Sequence, residues 1–255
     1  MPSESKLDQF LGVSAWAAEI RKRIPQIARH RYNVAVTGDE GTGKRLLARL
    51  VHDLSPRVER PMIPVDCGLL GPETFASQMF GHEAGAFDGV SGAALGCLRA
   101  SDGGTVCLAN VEALSLEHQH QLLTALSTQK VTPVGGETSV PFDVRVITSS
   151  LHDLQKQLQE RRLLPQLYTL LDAVSLRALP LRKRLEDVEP LARGFLAELA
   201  EELDEPPKIL MPEGCRRLQQ HSWPGNVAEL REAIERAAVF AEGDQLSARS
   251  FAFLQ

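Results

Sequence analysis

The sequence predicts an α/β fold, a five-stranded parallel sheet sandwiched by helices, followed by a small all-helical C-terminal lid. Three observations carry that expectation. A strand–loop–helix unit rich in glycine spans residues 34–51, short apolar runs then alternate with helical patterns, and from about residue 181 only helical patterns remain. Strands that alternate with helices argue for a parallel sheet covered on both faces.

The elements follow in order. Residues 14–31 read as an amphipathic helix, with Trp16, Ile20, Ile24 and Ile27 on one face and Arg21-Lys22-Arg23 and Arg29-His30-Arg31 expected on a solvated one. The first strand is Val34–Thr37, and the helix after it carries Leu46, Leu47, Leu50 and Val51 at helical spacing. Four more apolar runs read as strands: 62–65, 105–108, 144–147 and 173–176. The last part reads as helices over 185–203, 213–221 and 227–240, separated by Pro206-Pro207 and by the turn Trp223-Pro224-Gly225-Asn226. Neither an internal repeat nor a low-complexity segment is evident.

Composition removes several function classes. The 255 residues are 43% hydrophobic and 24% charged, ordinary for a globular chain, and a net charge of −5 offers no general electrostatic footprint for nucleic acid. No apolar stretch approaches a membrane span, so a cytoplasmic protein without membrane contact is expected. The four cysteines form no C-x-x-C pair, and reduced, partly buried thiols are expected. Glu117-His118-Gln119-His120 is not read as a metal site, because histidines two apart on a helix face different directions, and no metal-binding residues are assigned.

The chemistry concentrates in Gly38-Asp39-Glu40-Gly41-Thr42-Gly43-Lys44, directly between a strand and a helix. In that context glycines let backbone N–H groups turn around a phosphate, the helix N-terminus adds its positive dipole end, and Lys44 supplies a point charge. Gly38, Asp39, Glu40, Gly41, Thr42, Gly43, Lys44, Arg45 and Leu46 are therefore the expected nucleotide-binding residues.

Further segments carry a family resemblance. Residues 80–90, Phe80 through Val90, are similar to the loop FGHEKGAFTGA of the bacterial sigma-54 activators, a branch of the AAA+ ATPases. Residues 102–108 resemble the family's ADGGTLFL strand, Arg145-Val146-Ile147 its RVI strand, residues 181–187 its PLRER-x-ED helix start, and Trp223–Val227 its WPGNV lid motif. The resemblance covers roughly residues 9–242 in the right order, and it implies an AAA+ P-loop NTPase fold. Its implied division is a tail over 1–8, a nucleotide-binding subdomain over 9–180 and a lid over 181–255.

The departures bear on activity. Where the family has Asp-Glu after the second strand motif, this chain has Ala109-Asn110, which can neither hold Mg²⁺ through water nor polarise an attacking water. Leu164 and Leu170 stand at two arginine positions that reach a neighbouring subunit's γ-phosphate; such a finger is worth roughly 10³–10⁵ in turnover. Leu151 falls on the polar sensor, Ala228 on the lid arginine, and Asp66 on an Asn that restrains the catalytic Glu. Arg45 replaces the Ser or Thr of the general motif, as is common in this family. The resemblance thus implies ATP or ADP binding without efficient hydrolysis and no catalytic residue. Mg²⁺ is left open: with no acid at the strand end a weak response is expected, and a strong one would point first to Asp39, Glu40 or Asp66.

Gly85, Ala86, Phe87, Asp88, Gly89 and Val90 match the loop that contacts the sigma factor. Asp88 and Val90 depart from its pattern and Phe87 keeps it. A charge at a tip that must be buried against a partner costs desolvation. The implied partners are the chain itself or a related AAA+ activator, with sigma-54 RNA polymerase as a further one. No receiver domain and no helix-turn-helix element is read, so sequence-specific DNA binding is not expected. The expected role is a regulatory subunit in transcription control. The alternatives are a slow ATPase activator in mixed rings and a nucleotide-free adaptor. Glu112, close to the strand end, is expected to be structural or surface-exposed.

Overall fold

All five expected strands form, and all are parallel. The structure is a computed structural model and describes residues 6–7, 9–89, 91–151, 153–241 and 243–254. Two units emerge from its packing: a larger one of Ile24–Gly38 and Lys44–Arg177, and a smaller one of Met1–Arg23, Asp39–Gly43 and Ala178–Gln255. Helix α1 (Ala15–Ala28) contributes to both.

In the larger unit the chain runs β1 (Val34–Thr37), α2 (Lys44–Asp53), β2 (Met62–Asp66), α3 (Phe75–Phe80), α4 (Gly96–Ala100), β3 (Thr105–Ala109) and α5 (Leu116–Thr128). It continues with β4 (Lys130–Val131), β5 (Val140–Pro141), β6 (Arg145–Ser150), α6 (Leu154–Gln159), α7 (Pro165–Leu171) and β7 (Val174–Arg177). The sheet order is β2-β3-β6-β1-β7, and β4 and β5 form a separate antiparallel pair. The register sets Val36 opposite Ser149 and Leu176, and Ala109 opposite Ser149. Loops following β1, β3 and β6 are thereby gathered at the carboxyl ends of adjacent strands, where open α/β sheets bind ligands.

Burial follows strand position. The inner strands β1, β3 and β6 are buried almost throughout, whereas β2 at the edge buries only Val65. Phe75, Met79, Leu98 and Leu122 are fully buried in one cluster with Leu108 of β3. Helix α2 turns Leu47, Leu50 and Val51 inward and leaves Arg45 and Arg49 exposed, as its spacing requires.

Helix α1 ends at Ala28, three residues before the expected end. The side chain of Arg145 at the start of β6 is the reason: its guanidinium donates to the carbonyl oxygens of Ile27, Ala28 and Tyr32 at 3.0–3.2 Å. Burial lowers the pKa of this arginine to about 10, with Arg57 adding to the shift. The expected solvated basic face is also interrupted. Arg21 donates to the carbonyls of Phe10 and Gly12 and lies over the Phe10 ring.

The smaller unit contains α8 (Val188–Leu203), β8 (Ile209–Leu210), α9 (Pro212–Gln220), α10 (Asn226–Phe240) and β9 (Gln245–Leu246). Trp223, Leu230, Ile234 and Phe251 are fully buried at its core. The all-helical expectation needs one correction, because β8 and β9 pair in parallel. Extended segments before α9 and after α10 have backbone groups that no helix satisfies, and pairing them lets Leu210 and Leu246 enter the core.

Candidate functional site

The two ends of the glycine loop belong to the larger unit. Gly38 N–H donates to the carbonyl of Ser150 at the end of β6, and Lys44 Nζ donates to the carbonyl of Gly38 at 2.8 Å. Lys44 is also the first residue of α2, so its charge stands at a helix N-terminus. Arg45 is exposed and Leu46 half-buried as that helix begins.

The apex, Asp39–Gly43, belongs to the smaller unit, and groups around it take up its outward carbonyls. Asn226 Nδ2 donates to Glu40 O at 2.7 Å, and the N–H groups of Val227 and Ala228 donate to Gly41 O. Arg184 Nη2 donates to Thr42 O at 3.0 Å, while Arg182 pairs with the Asp39 carboxylate at 3.1 Å. Thr42 folds back, its hydroxyl donating to Asp39 O. Gly41 and Gly43 have φ of 71° and 97°, values that glycine adopts without strain. Nothing lies within 4 Å of where a Cβ on Gly43 would sit, whereas one on Gly41 would meet Gly225 O at 2.0 Å. The apex is thus held from one side and open at Gly43, a cradle that fits an anionic phosphate chain.

Two buried charges brace this arrangement. Asp187 accepts from the N–H groups of Val13 and Ser14 and from the Ser14 hydroxyl, and Arg184 lies 3.6 Å from it while covering the Trp16 ring. Burial lowers the Arg184 pKa and the Asp187 charge opposes that shift.

At the carboxyl ends of β2, β3 and β6 the side chains are Asp66, Ala109, Asn110, Glu112 and Ser150. Asn110 adopts the left-handed conformation at φ 53°, and its Nδ2 donates to Asp66 Oδ1 at 3.0 Å. Asp66 Oδ1 also accepts from Gly68 N–H. Ala109 thus presents no polar side chain at the strand end, and the Asn110 amide nitrogen is engaged by Asp66. Glu112, expected to be structural or surface-exposed, is half-buried. One carboxylate oxygen accepts from Ser150 Oγ at 2.5 Å, and the other, Oε2, is buried without a hydrogen-bond partner.

The remaining departures are built into the fold. Leu164 and Leu170 pack against the core of the larger unit at the two ends of α7. The Leu164 N–H donates to Gln119 Oε1, and the Leu170 carbonyl accepts from Asn33 Nδ2. Leu151 is exposed, and Ala228 lies in the first turn of α10.

The segment between α3 and α4 is pinned at its base. His82 exchanges backbone bonds with Ala94, its ring sits 2.7 Å from Ser77 Oγ, and Glu83 N–H donates to Val134 O. Gly85 and Gly89 have positive φ and open surroundings, Ala86 is approached closely by Gly135, and Asp88 is exposed. Phe87 is 45% exposed, with its ring edge-on to His82 at 5.3 Å. Val90 lies outside the described residues.

Asn226 was legible only as part of a turn, and Arg184 and Asp187 only as a helix start. Their hydrogen bonds to positions far away in sequence had no local signal.

Comparison with known proteins gives a consistent result. The Sigma-54 interaction domain family matches residues 10–177, and the AAA+ ATPase lid domain family matches residues 182–253. The response regulator protein PilR of Pseudomonas aeruginosa is 37% identical over 239 residues, covering 94% of this chain and 54% of that protein. The DNA-binding transcriptional activator HyfR of Escherichia coli is 33% identical, covering 90% of this chain and 34% of that protein. Crystal structures of NtrX from Brucella abortus in complex with ADP and with ATP both superpose at a TM-score of 0.84, at 28% and 30% identity. They cover 96% and 94% of this chain, and 55% and 53% of those chains. The chain spans about half the length of the first curated relatives it matches. Among the described residues no helix is long and apolar enough to cross a membrane.

Proposed function

The chain belongs to the sigma-54 interaction family of AAA+ domains, and on that premise we propose that it binds ATP or ADP at residues 38–46 without efficient hydrolysis. It then serves as a regulatory subunit in transcription control. The observation that carries this reading is the contrast between the glycine loop, whose apex is held and whose lysine is in place, and the end of β3, where Ala109 has no polar group and Asn110 is a neutral amide whose nitrogen donates to Asp66. Nucleotide complexes of the NtrX relative support the binding half.

Chemically, the cradle would hold the phosphate chain through backbone N–H groups and Lys44, which favours ground-state binding. Turnover needs a base for water and positive charge at the γ-phosphate, and Asn110, Leu164 and Leu170 supply neither. The partners proposed are further copies of this chain or a related AAA+ activator in the cytoplasm, with Phe87 as the exposed contact toward sigma-54 RNA polymerase.

Nucleotide titration of the wild type and Lys44→Ala, paired with a phosphate-release assay, tests the reading. Binding that Lys44→Ala removes, with phosphate release at background, is expected. Release that disappears in Lys44→Ala would overturn the proposal, since a contaminant would be indifferent to that change.

A further inference from the structure

We infer that Glu112 is the carboxylate that faces the divalent cation of a bound nucleotide, in place of the acids lost at the end of β3. The inference rests on the nucleotide-binding reading above and adds a metal contact to that site.

Glu112 is connected to the loop by a short chain of bonds within the larger unit. Lys44 Nζ donates to Gly38 O, Gly38 N–H donates to Ser150 O, and Ser150 Oγ donates to Glu112 Oε1. The carboxylate is therefore one residue removed from the first residue of the phosphate loop.

The other oxygen, Oε2, is buried and accepts no hydrogen bond from the protein. A carboxylate oxygen in that state is costly, and native proteins place such a group where a water, an ion or a ligand meets it. Its surroundings favour a cation: the charges of Asp66 and Glu112 are both felt at the neighbouring Cys67 thiol, and no ion pair joins Glu112 to an arginine or lysine among the described residues. The expected ligand is a hydrated Mg²⁺ carried by nucleotide phosphates, which one protein carboxylate suffices to recognise.

The other acids are less suited. Asp39 is paired with Arg182, and Asp66 Oδ1 already accepts two donors. Glu40 is exposed at the loop apex, where its carbonyl is held by Asn226. Glu112 lies three residues beyond Ala109, on the 3-10 turn Val111–Ala113 that follows β3. Displacement of the acid by one short turn explains how the strand-end acids could be lost while a metal contact is kept.

The test is a titration with a fluorescent ATP analogue in EDTA and in excess Mg²⁺, on the wild type, Glu112→Gln and Glu112→Asp. The wild type should bind at least tenfold more tightly with Mg²⁺. Glu112→Gln should keep its affinity in EDTA within about twofold and lose the Mg²⁺ gain, and Glu112→Asp should lose most of it. Because the amide removes a buried unpartnered charge, the thermal midpoint of Glu112→Gln without nucleotide should not fall. A wild type indifferent to Mg²⁺, or a gain that survives in both variants, overturns the inference and leaves nucleotide binding standing. No binding in either condition overturns the nucleotide reading together with this one.

Discussion

The side-chain amide of Asn226 donates to the carbonyl of Glu40 at 2.7 Å while its oxygen accepts the N–H of Leu181 at 2.9 Å. The residue is fully buried and sits at φ 57°, a conformation that Asn tolerates better than most side chains. One side chain thus links the start of the lid, the WPGN turn and the loop apex. Removing it leaves a buried donor and acceptor unmet, about 1–3 kcal/mol. Asn226→Ala should lower the thermal midpoint and weaken nucleotide binding. Asn226→Gly, which relieves the left-handed backbone, should recover only the conformational part; a full recovery would show that the amide does nothing.

The two inner glycines of the loop should respond differently to the same substitution. A methyl on Gly41 meets a backbone oxygen at 2.0 Å, which no rotamer change relieves, so Gly41→Ala should destabilise the smaller unit by several kcal/mol, on the order of a severe packing error. A methyl on Gly43 meets nothing within 4 Å and adds only left-handed strain of about 1–2 kcal/mol. Gly43→Ala should therefore fold and bind nucleotide poorly, because the methyl stands on the open side of the cradle. Circular dichroism melts beside a nucleotide titration distinguish the two cases.

Much of this was readable before the structure. Strand–helix alternation marks a parallel sheet because both faces of Val34–Val36 and Val106–Leu108 must be buried, and the glycine loop is fixed by its place between β1 and α2. The site was less legible. Asp66 was named as an Asn position, but its pairing with Asn110 depends on β2 and β3 being neighbours. The β6 arginine reads as one letter of an RVI motif, yet Arg145 sets where α1 ends. Glu112 looked structural because its distinguishing property, a buried oxygen without a donor, exists only once β3 and β6 lie side by side. Long-range hydrogen bonds leave no periodicity in sequence.

Alkaline pH should unfold the protein through its thiols. Burial pushes Cys67 to about 12, helped by Asp66 and Glu112, and pushes Cys107 to about 11, from an ordinary value of 9.0. Between pH 9 and 11 the unfolded chain has released protons that the folded chain still holds, so stability falls as pH rises, by about 1.4 kcal/mol per pH unit for each thiol. Urea unfolding from pH 8 to 10.5 should show that decline, with Cys67→Ala and Cys107→Ala each flattening it. A slope unchanged by both substitutions would assign the loss to other groups. Native protein should likewise resist iodoacetamide at Cys67 and Cys107 at pH 8.

The consequence for assembly follows from Leu164 and Leu170. In the family these positions send arginines into the neighbouring subunit's site, whereas here both are leucines, half-buried against the core of the larger unit, and carry no charge to send. A subunit of this chain placed in a ring of an active relative would leave its own site inert, through Ala109 and Asn110, and its neighbour's site without compensating charge. One insertion would disable two sites, so phosphate release should fall faster than the mole fraction of this chain added. The chain carrying both Leu164→Arg and Leu170→Arg should move the curve toward simple dilution, because only its own site then stays silent. Titration into an active homologue, followed by phosphate release, measures the curvature. Proportional dilution by the unaltered chain, or stimulation, would remove the inhibitory role, and stimulation would favour that of a supporting co-activator.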